Sequence, residues 1–399
     1  MSLRSSMTSI FKYIGYWIAK RLLKFPGNLL SFIVRMFVPV KKGRVACWAY
    51  SFRQYSCNPR YLTEYLLENN PEYEIYWIFK KNVDISEVDK RIRCVRFRSL
   101  EYFILINSAE FIFTNARTDP FSIYWHKRPG QKYAMLWHGG IPLKQIEKDV
   151  EEKLGITYTR KAKADSKVCD LMITGSRFQA TLIKEKFWYD GEILESGIPR
   201  YDIFFNKEAH KEIREKVFRH YNIPAGNKVV LYAPTFRRNH SLEPYDIDWE
   251  TAIPLFEDML GGKTTVLLRL HPNMLKVDTS PLLKTPGVMD ATRYHDMQEL
   301  LCVCDLLITD YSSTMFDIAM IDKPCLLYAT DVEKYDRGYY FRFDSLPFPL
   351  AKNMAELTQI VSNFNHEEYR MKVREFLDMT VKMFEDGHAS ERIVEWMKR

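Results

Sequence analysis

Acidic residues are missing from the first part of this 399-residue chain: no Asp or Glu precedes Glu64, whereas Lys and Arg occur there 11 times. The remainder holds 47 basic and 51 acidic side chains, so the net charge of +7 comes from the N-terminal stretch. A nucleic-acid-binding domain carries its basic residues on one face of the fold or along a helix. The charge distribution therefore argues against nucleic acid as a partner.

Cysteine pairs with metal-binding or redox spacing are also missing. The seven cysteines contain no C-x-x-C motif, and several lie within apolar runs. Such cysteines predict reduced, buried thiols in a cytoplasmic protein. Cys302 and Cys304 with the nearby His295 come closest to a metal cluster, but their spacing fits no common zinc pattern. The sequence thus implies no metal.

No apolar run in residues 8–40 reaches the ~18–20 residues that a membrane-spanning helix needs, because Lys or Arg interrupts each one. No small-residue cleavage site follows, which argues against a signal peptide. We expect two short amphipathic helices separated at Pro26 and Gly27. Residues 1–44 are therefore predicted to contact an anionic membrane surface. The alternative is a basic helix that packs against the protein body.

Signature motifs of several enzyme classes are absent. The sequence has no G-x-G-x-x-G, no Walker A loop, no H-E-x-x-H and no G-x-S-x-G. Dinucleotide-dependent enzymes, P-loop kinases and common hydrolases therefore lose support.

From residue 45 onward, apolar strand-like runs alternate with helical patterns, which is typical of parallel sheets. We predict two Rossmann-like, doubly wound α/β domains, at residues 45–203 and 204–399, facing each other across a cleft. The run V-C-D-L-M-I-T-G-S at 168–176 resembles V-C-D-L-L-I-T-D-Y-S at 303–312, which favours two similar halves. Ligands of such sheets bind beyond the carboxyl ends of the strands.

The segment 304–342 combines two predicted buried strands with a polar turn and a helix, expected over Ser313–Ile321, between them. Thr314-x-x-Asp317 fits a capping box at the start of that helix. Unpaired N–H groups and three hydroxyls at a helix start suit a phosphate, and helix capping alone is the alternative. The turn carries Asp310, Ser312, Ser313 and Thr314.

Polar residues follow several other predicted strands. In L-W-H-G-G-I-P-L-K (136–144), His138 is a candidate general base, since its pKa lies near working pH, and a structural His is the alternative. Gly139 and Gly140 allow a close approach, and Lys144 lies just beyond.

Two strand ends in the second half carry cationic residues. Thr235 and Arg237 in Y-A-P-T-F-R-R are candidate phosphate contacts, with a solvated loop as the alternative. Arg269 and His271 in L-L-R-L-H-P-N alternate on one strand face and suit a diphosphate.

Two further motifs are candidate loop contacts. E-S-G-I-P-R-Y-D (195–202) places Arg200 and Asp202 near the predicted cleft, although an interdomain turn explains it equally well. Asp331 and Arg337, in the tail after the second strand, are candidates for a ligand-covering loop.

Taken together, H-G-G-I-P-L-K, S-G-I-P-R-Y-D, Y-A-P-T-F-R, R-L-H-P and D-Y-S-S-T-M-F-D-I-A resemble the CDP-glycerol glycerophosphotransferase family. Its members are primases and polymerases of teichoic acids and related capsule polymers. The motifs occur in the family's order across roughly residues 130–345. Gly140 is a departure, because the family commonly has Thr or Ser there.

The resemblance implies a glycosyltransferase-B-like arrangement in which the second domain holds the nucleotide donor. His138 would then deprotonate the acceptor hydroxyl, while His271, Arg269 and Ser312–Thr314 hold the diphosphate as CMP leaves. The implied donor is CDP-glycerol or CDP-ribitol, and the implied acceptor is lipid-linked, through a polyprenyl diphosphate, at the cytoplasmic face of the bacterial membrane. A homo-oligomer is compatible with this, and the chain length favours a primase-like role.

Two other functions remain open at this stage. One is a glycosyltransferase of the same architecture that uses a UDP- or CDP-sugar. The other is a membrane-docked scaffold without catalysis, which the departure at Gly140 keeps open.

Overall fold

The structure is a computed structural model that describes residues 24–237, 239–333 and 338–399. Its first element is helix α1, described over residues 24–37, which runs through the expected break at Pro26 and Gly27. Gly27 lies so close to the Tyr124 ring that an added Cβ would be 2.6 Å from it, so α1 packs tightly at this point. The more N-terminal of the two predicted amphipathic helices lies outside the described residues.

In the described part of the chain, a first parallel sheet has seven strands in the order β3-β2-β1-β4-β5-β6-β7. The strands are β1 (Lys41–Trp48), β2 (Glu74–Phe79), β3 (Arg93–Arg96), β4 (Ala109–Thr114), β5 (Lys132–Met135), β6 (Leu171–Ile173) and β7 (Glu192–Leu194). The helices of this half are α2 (Cys57–Asn69), α3 (Leu100–Ser108), α4 (Ile156–Val168) and α5 (Arg177–Lys186). Both faces of the sheet are covered, as the continuous apolar strands require.

A second parallel sheet has six described strands in the order β10-β9-β8-β11-β12-β13. They are β8 (Lys228–Tyr232), β9 (Thr264–Leu268), β10 (Val288–Asp290), β11 (Leu306–Thr309), β12 (Cys325–Tyr328) and β13 (Leu350–Ala351). The helices from the junction onward are α6 (Asp202–Phe205), α7 (Lys207–Tyr221), α8 (Trp249–Leu260), α9 (Met297–Val303), α10 (Thr314–Ala319), α11 (Met354–Ser362), α12 (His366–Glu375) and α13 (Ala389–Lys398). The expectation of an α/β fold with two parallel sheets is confirmed.

The strand orders place one topological switch point in each sheet, between β1 and β4 and between β8 and β11. Open α/β sheets bind ligands in the crevice at the carboxyl ends of the strands beside such a point. The residues that follow β8 and β11 are the Thr235 loop and the Ser312–Thr314 turn. The fold therefore brings two of the predicted motifs to one crevice.

The repeated V-C-D-L motif has the same structural role in both halves. Asp170, before β6, accepts the N–H of Tyr133 at 2.7 Å, and Asp305, before β11, accepts the N–H of Val229 at 2.8 Å. Each carboxylate thus accepts a backbone N–H at the start of the neighbouring strand. A backbone N–H inside the protein needs such a partner.

The end of the chain returns to the first half, although the sequence groups it with the second. Residues 376–381 form a π-helical turn after α12, and α13 then packs against α2. Asp202 accepts the N–H groups of Ala389 and Ser390, both at 2.9 Å, at the start of α13. These bonds fix where the returning chain meets the first half.

The seven cysteines are free, and all except the half-buried Cys94 are buried. The expectation of buried thiols therefore holds for six of them.

Among the described residues, no helix combines the length and the apolar character needed to cross a bilayer.

Candidate active site

A cleft of about 590 Å³ lies between the carboxyl ends of the two sheets. Predicted residues from both halves line it: His138, Gly139, Lys144, Thr235, Arg269, His271, Ser312, Ser313 and Thr314. The fold therefore brings together residues that are far apart in the sequence.

His138 enters the cleft directly after a sharp turn at the end of β5. Trp137 has a left-handed backbone with φ of 49°, an uncommon conformation for a bulky residue. The buried Asn58 holds this turn through its Nδ2, which donates to the carbonyl oxygens of Leu136 (2.7 Å) and Trp137 (3.0 Å). Tertiary contacts therefore maintain the strained turn that aims His138 at the cleft.

The tautomer of His138 follows from the hydrogen bond that its ring makes with a backbone carbonyl oxygen. Its Nδ1 lies 2.9 Å from the carbonyl oxygen of Asn115, which can only accept, so Nδ1 carries the hydrogen. In the neutral ring, Nε2 is then left with a free lone pair. Desolvation and the nearby Arg200 cation lower the pKa of His138, while the bond to Asn115 opposes them. His138 is therefore a neutral proton acceptor at neutral pH.

His271 has the opposite tautomer. Its Nδ1 accepts the backbone N–H of Asn273 at 3.1 Å, so in the neutral ring Nε2 carries the hydrogen and donates. Burial lowers the pKa of His271, and the Lys144 cation from the other half lowers it further. The cleft thus contains one imidazole poised to accept a proton and a second poised to donate a hydrogen bond.

Arg269 lies at the end of β9, where hydrogen bonds from its guanidinium hold the side chain in place. Nη1 donates to the carbonyl oxygens of Ala291 (3.1 Å) and Tyr294 (2.7 Å), and Arg269 is one of the residues that line the cleft. The Oγ1 of Thr235 is buried and, among the described residues, has no hydrogen-bond partner. A buried hydroxyl without a partner is uncommon and indicates a place where a ligand oxygen would be satisfied.

The predicted capping box does not form. The α10 helix has Ser313 as its N-cap, and the Ser313 side chain makes no cap hydrogen bond. Ser312 Oγ instead accepts from the Thr314 hydroxyl at 3.0 Å and from the Thr314 N–H at 3.4 Å. Asp317 instead accepts Arg200 Nη2 at 2.7 Å and the hydroxyl of Tyr201. These two partners of Asp317 come from the junction with the other half, and no local pattern can reveal them.

Arg200 links the two halves rather than facing the cleft. It is 8% exposed, and its Nη1 donates to the carbonyl oxygen of His138 at 2.9 Å. Asp202 is also engaged elsewhere, at the start of α13. Neither belongs to the described lining of the cleft, so direct acceptor contact by these two residues is not supported.

Arg237, Asp310 and Asp331 form an ion-pair cluster beside the cleft. Arg237 Nε and Nη2 contact the Asp331 carboxylate at 2.7 and 2.9 Å, and Nη1 lies 2.9 Å from Asp310 Oδ2. Asp310 Oδ1 also accepts the N–H of Thr235 at 2.8 Å. Because these donors are already taken by carboxylates, the cluster positions the Thr235 loop, and a phosphate contact by Arg237 is not supported. Arg337 lies outside the described residues.

Sequence reasoning missed four residues that shape the site. Gln179 lines the cleft and donates to Gly139 O at 2.8 Å. A Cβ at Gly140 would lie 2.9 Å from the Tyr201 hydroxyl, so Tyr201 leaves no room for a side chain there. Asn58 and Asp317 complete the set. Tyr201 lies in the S-G-I-P-R-Y-D motif and Asp317 in the Thr314-x-x-Asp317 pattern, but neither motif indicates the hydrogen bond that joins these two residues across the halves.

The strand ends, the cleft and its lining define a glycosyltransferase-B-like α/β protein with two parallel sheets. Solved structures of the wall teichoic acid polymerase TagF share this fold. One has a TM-score of 0.77 and 27% identity, covering 100% of this chain and 98% of that chain. Another structure of TagF, from a variant soaked with CDPG, has a TM-score of 0.76.

The chain belongs to the CDP-glycerol:poly(glycerophosphate) glycerophosphotransferase family, whose model matches residues 30–398. It is 31% identical, over 94% of its length, to the teichoic acid poly(glycerol phosphate) polymerase of Bacillus subtilis (strain 168). It is 29% identical, over 86% of its length and 89% of the relative, to a teichoic acid glycerol-phosphate transferase of Staphylococcus aureus (strain NCTC 8325 / PS 47). Two ribitol-phosphate polymerases of that bacterium are also similar to it.

The chain spans only about half of some of these relatives. It covers 52% of the B. subtilis polymerase and 50% of a Staphylococcus epidermidis polymerase of the same name. The activities of these longer relatives therefore do not carry over to this chain by name alone.

Proposed function

We propose that this protein transfers glycerol phosphate, or a related polyol phosphate, from a CDP-activated donor to the hydroxyl of a lipid-linked acceptor. The observation that carries the proposal is the pair of imidazoles with opposite tautomers in one cleft, His138 from the first half and His271 from the second. Its membership of the family and the donors named for its relatives give the substrate class.

The proposed reaction is one displacement at phosphorus. The acceptor oxygen attacks the phosphorus that bears glycerol, the bond from that phosphorus to the bridging oxygen breaks, and CMP leaves with the bond's electron pair. The acceptor proton passes to Nε2 of His138. Nε2–H of His271, the Arg269 cation and the hydroxyl turn stabilise the charge on the departing phosphate. Positioning and such electrostatic stabilisation are the main contributions that proteins make to phosphoryl transfer.

The two halves divide this work in the proposal. The first, at residues 45–203, supplies the base and is the acceptor domain. The second, beginning at residue 204, supplies His271, Arg269 and the hydroxyl turn and is the donor domain. The chain's return to the first half through α13 supports a fixed pairing of the two domains.

CMP release tests the function directly. The purified protein with a lipid-linked acceptor is expected to release CMP from CDP-glycerol or CDP-ribitol, and not UMP or UDP from UDP-sugars. A donor present at about 100 times its Kd is expected to raise unfolding stability by about 2.7 kcal/mol. Stabilisation by a UDP-sugar with turnover, and none by either CDP-polyol, would instead establish a glycosyltransferase.

The proposal includes peripheral binding to the cytoplasmic face of the membrane. Val34 of α1 faces the core, whereas several other apolar residues of this helix recur at helical spacing and are exposed: Phe25 (60%), Leu29 (45%), Phe32 (58%), Met36 (59%) and Phe37 (78%). Lys41 and Lys42 follow the helix. An exposed apolar helix face next to basic residues suits an anionic lipid surface.

Vesicle flotation tests this surface. The protein is expected to float with vesicles of anionic phospholipid more than with zwitterionic ones, and a Phe32→Asp/Met36→Asp variant is expected to stay in the soluble fraction. Met371→Asp is the matched control, because Met371 is 66% exposed on α12, which belongs to the second half. Equal flotation of all three proteins would contradict membrane binding through α1.

A further inference from the structure

The returning segment 382–388 places a carboxyl group at the carboxyl edge of the first sheet. Phe384 donates its N–H to Gly175 O at 3.0 Å, and Arg177 donates its N–H to Lys382 O at 3.1 Å. The segment thus pairs with the turn after β6, and Glu385 follows directly. Nothing in the proposed reaction uses this residue.

Two glycines make room for the Glu385 carboxyl. An ideal Cβ at Gly175 would lie 1.6 Å from its Oε1, and one at Gly197 would lie 2.7 Å from its Oε2. The backbone N–H of Ile198 donates to Oε2 at 3.0 Å. Any side chain at either glycine would displace the carboxyl, so the two turns are shaped around it. We call this arrangement the Glu385 cradle.

The charged groups that face the cradle do not neutralise an ionised Glu385. Asp202 and Asp386 are both acidic neighbours, and the nearby cations have other partners: Arg200 pairs with Asp317, and Arg392 pairs with Asp386. Across the described ranges, no ion pair reaches Glu385. The pKa of Glu385 is raised to about 8: desolvation of the half-buried side chain is the largest cause, the two aspartates add to it, and the Ile198 N–H and Arg200 oppose it.

The cradle connects to the candidate active site through one short turn. Ile198, which donates to Glu385, is followed by Pro199 and Arg200. Arg200 holds the carbonyl oxygen of His138 at 2.9 Å and the Asp317 carboxylate at 2.7 Å. The position of the turn therefore determines whether Arg200 reaches both halves.

We propose that Glu385 is a positioning residue that acts in its neutral form. The protonated carboxyl fills the cradle and fixes the turn at residues 197–200, and with it Arg200 and the backbone of His138. When Glu385 ionises, its charge faces two carboxylates, so the side chain moves toward water and the turn loses its support. For its effect on catalysis, the inference rests on the proposed function.

The activity test is the pH profile of CMP release by wild type and Glu385→Gln, whose amide is neutral at every pH. Wild-type kcat is expected to fall about tenfold per pH unit once pH exceeds the Glu385 pKa. Glu385→Gln is expected to keep its kcat across the same range, with an unchanged KM for the donor. Glu391→Gln is the control, since Glu391 is an exposed carboxylate on α13 and should leave the wild-type profile intact.

Two results of the activity test would overturn the proposal. One is a Glu385→Gln variant with the same alkaline decline as wild type. The other is a folded Glu385→Gln variant that is inactive at every pH, because a neutral side chain would then not suffice.

A second measurement does not depend on the enzymatic function. The folded-state pKa of about 8 lies above the ordinary value of 4.5, so between these values the folded state binds more protons than the unfolded state. The contribution of Glu385 to stability therefore falls as pH rises through this window. The Tm of Glu385→Gln relative to wild type is expected to increase from pH 5 to pH 9 and to be flat for Glu391→Gln. A flat difference for Glu385→Gln would overturn the proposal even if CMP release were never observed.

Discussion

Replacing His138 with Asn is expected to lower kcat for CMP release by ~10²–10⁴-fold, the usual loss when a general base is removed. The amide nitrogen of the new side chain can still donate to the carbonyl oxygen of Asn115, as Nδ1 of His138 does at 2.9 Å. The variant therefore keeps the loop bond and lacks only the proton acceptor at Nε2. Donor binding, measured by thermal shift, should remain, because the groups proposed to hold the donor belong to the other half.

The pH dependence of the wild type gives an independent check on the same residue. Because the pKa of His138 is lowered, the neutral ring predominates at pH 7, and on the acid side activity should begin to decline at a pH below the ordinary value of 6.5. The His138→Asn variant should lack this acid limb. His366→Asn, on the exposed start of α12, is the control. Near wild-type kcat in the His138→Asn variant would show that His138 is not the base.

Replacing Arg200 with Met is expected to destabilise the protein by about 3–5 kcal/mol, because it leaves the buried Asp317 carboxylate without its partner between the two halves. The Arg200 and Asp317 side chains are 9% and 2% exposed, and their closest atoms are 2.7 Å apart. The same change removes the donor to the His138 carbonyl oxygen, so kcat should also fall. Urea unfolding and CMP release measure the two effects.

A double variant separates loss of the ion pair from loss of packing. Arg200→Met/Asp317→Leu removes both charges, so it should recover much of the stability that Arg200→Met loses while kcat stays low. Arg342→Met is the control, since the exposed Arg342–Asp344 pair should contribute little. Equal unfolding midpoints for Arg200→Met and Arg342→Met would contradict a buried link between the halves.

Local patterns predicted most of the regular elements. The sequence pattern predicts a strand over Glu74–Phe79 and a helix over Trp249–Leu260, and both elements have these bounds in the structure, because each contains its own apolar pattern and end signals. No apolar pattern predicts helix α4, because its sequence is mostly polar. A tertiary contact fixes it instead: Asp165 in α4 pairs with the buried Arg117 at 3.3 Å.

The residues of the candidate site likewise divide into those that local patterns predict and those whose role only the fold reveals. Sequence placed His138, His271 and Arg269 after strands, and the rule for parallel sheets then put each of them at the carboxyl edge of its own sheet, facing the cleft. It treated Arg269 and Arg237 alike, since both are cations just after a strand. Only the fold separates them, because the partners of Arg237 include Asp331, 94 residues further along the chain.

By itself, the sequence of this protein determined the alternation of strands and helices, the two parallel sheets and the family, because these depend on short-range periodicity and on motifs within single turns. The tertiary structure decided which polar residues face the cleft and which hold it in place. Asp317, Tyr201 and Glu385 show the reason. The role of each depends on a partner from a distant segment, and only packing of the two halves brings those partners within hydrogen-bond distance.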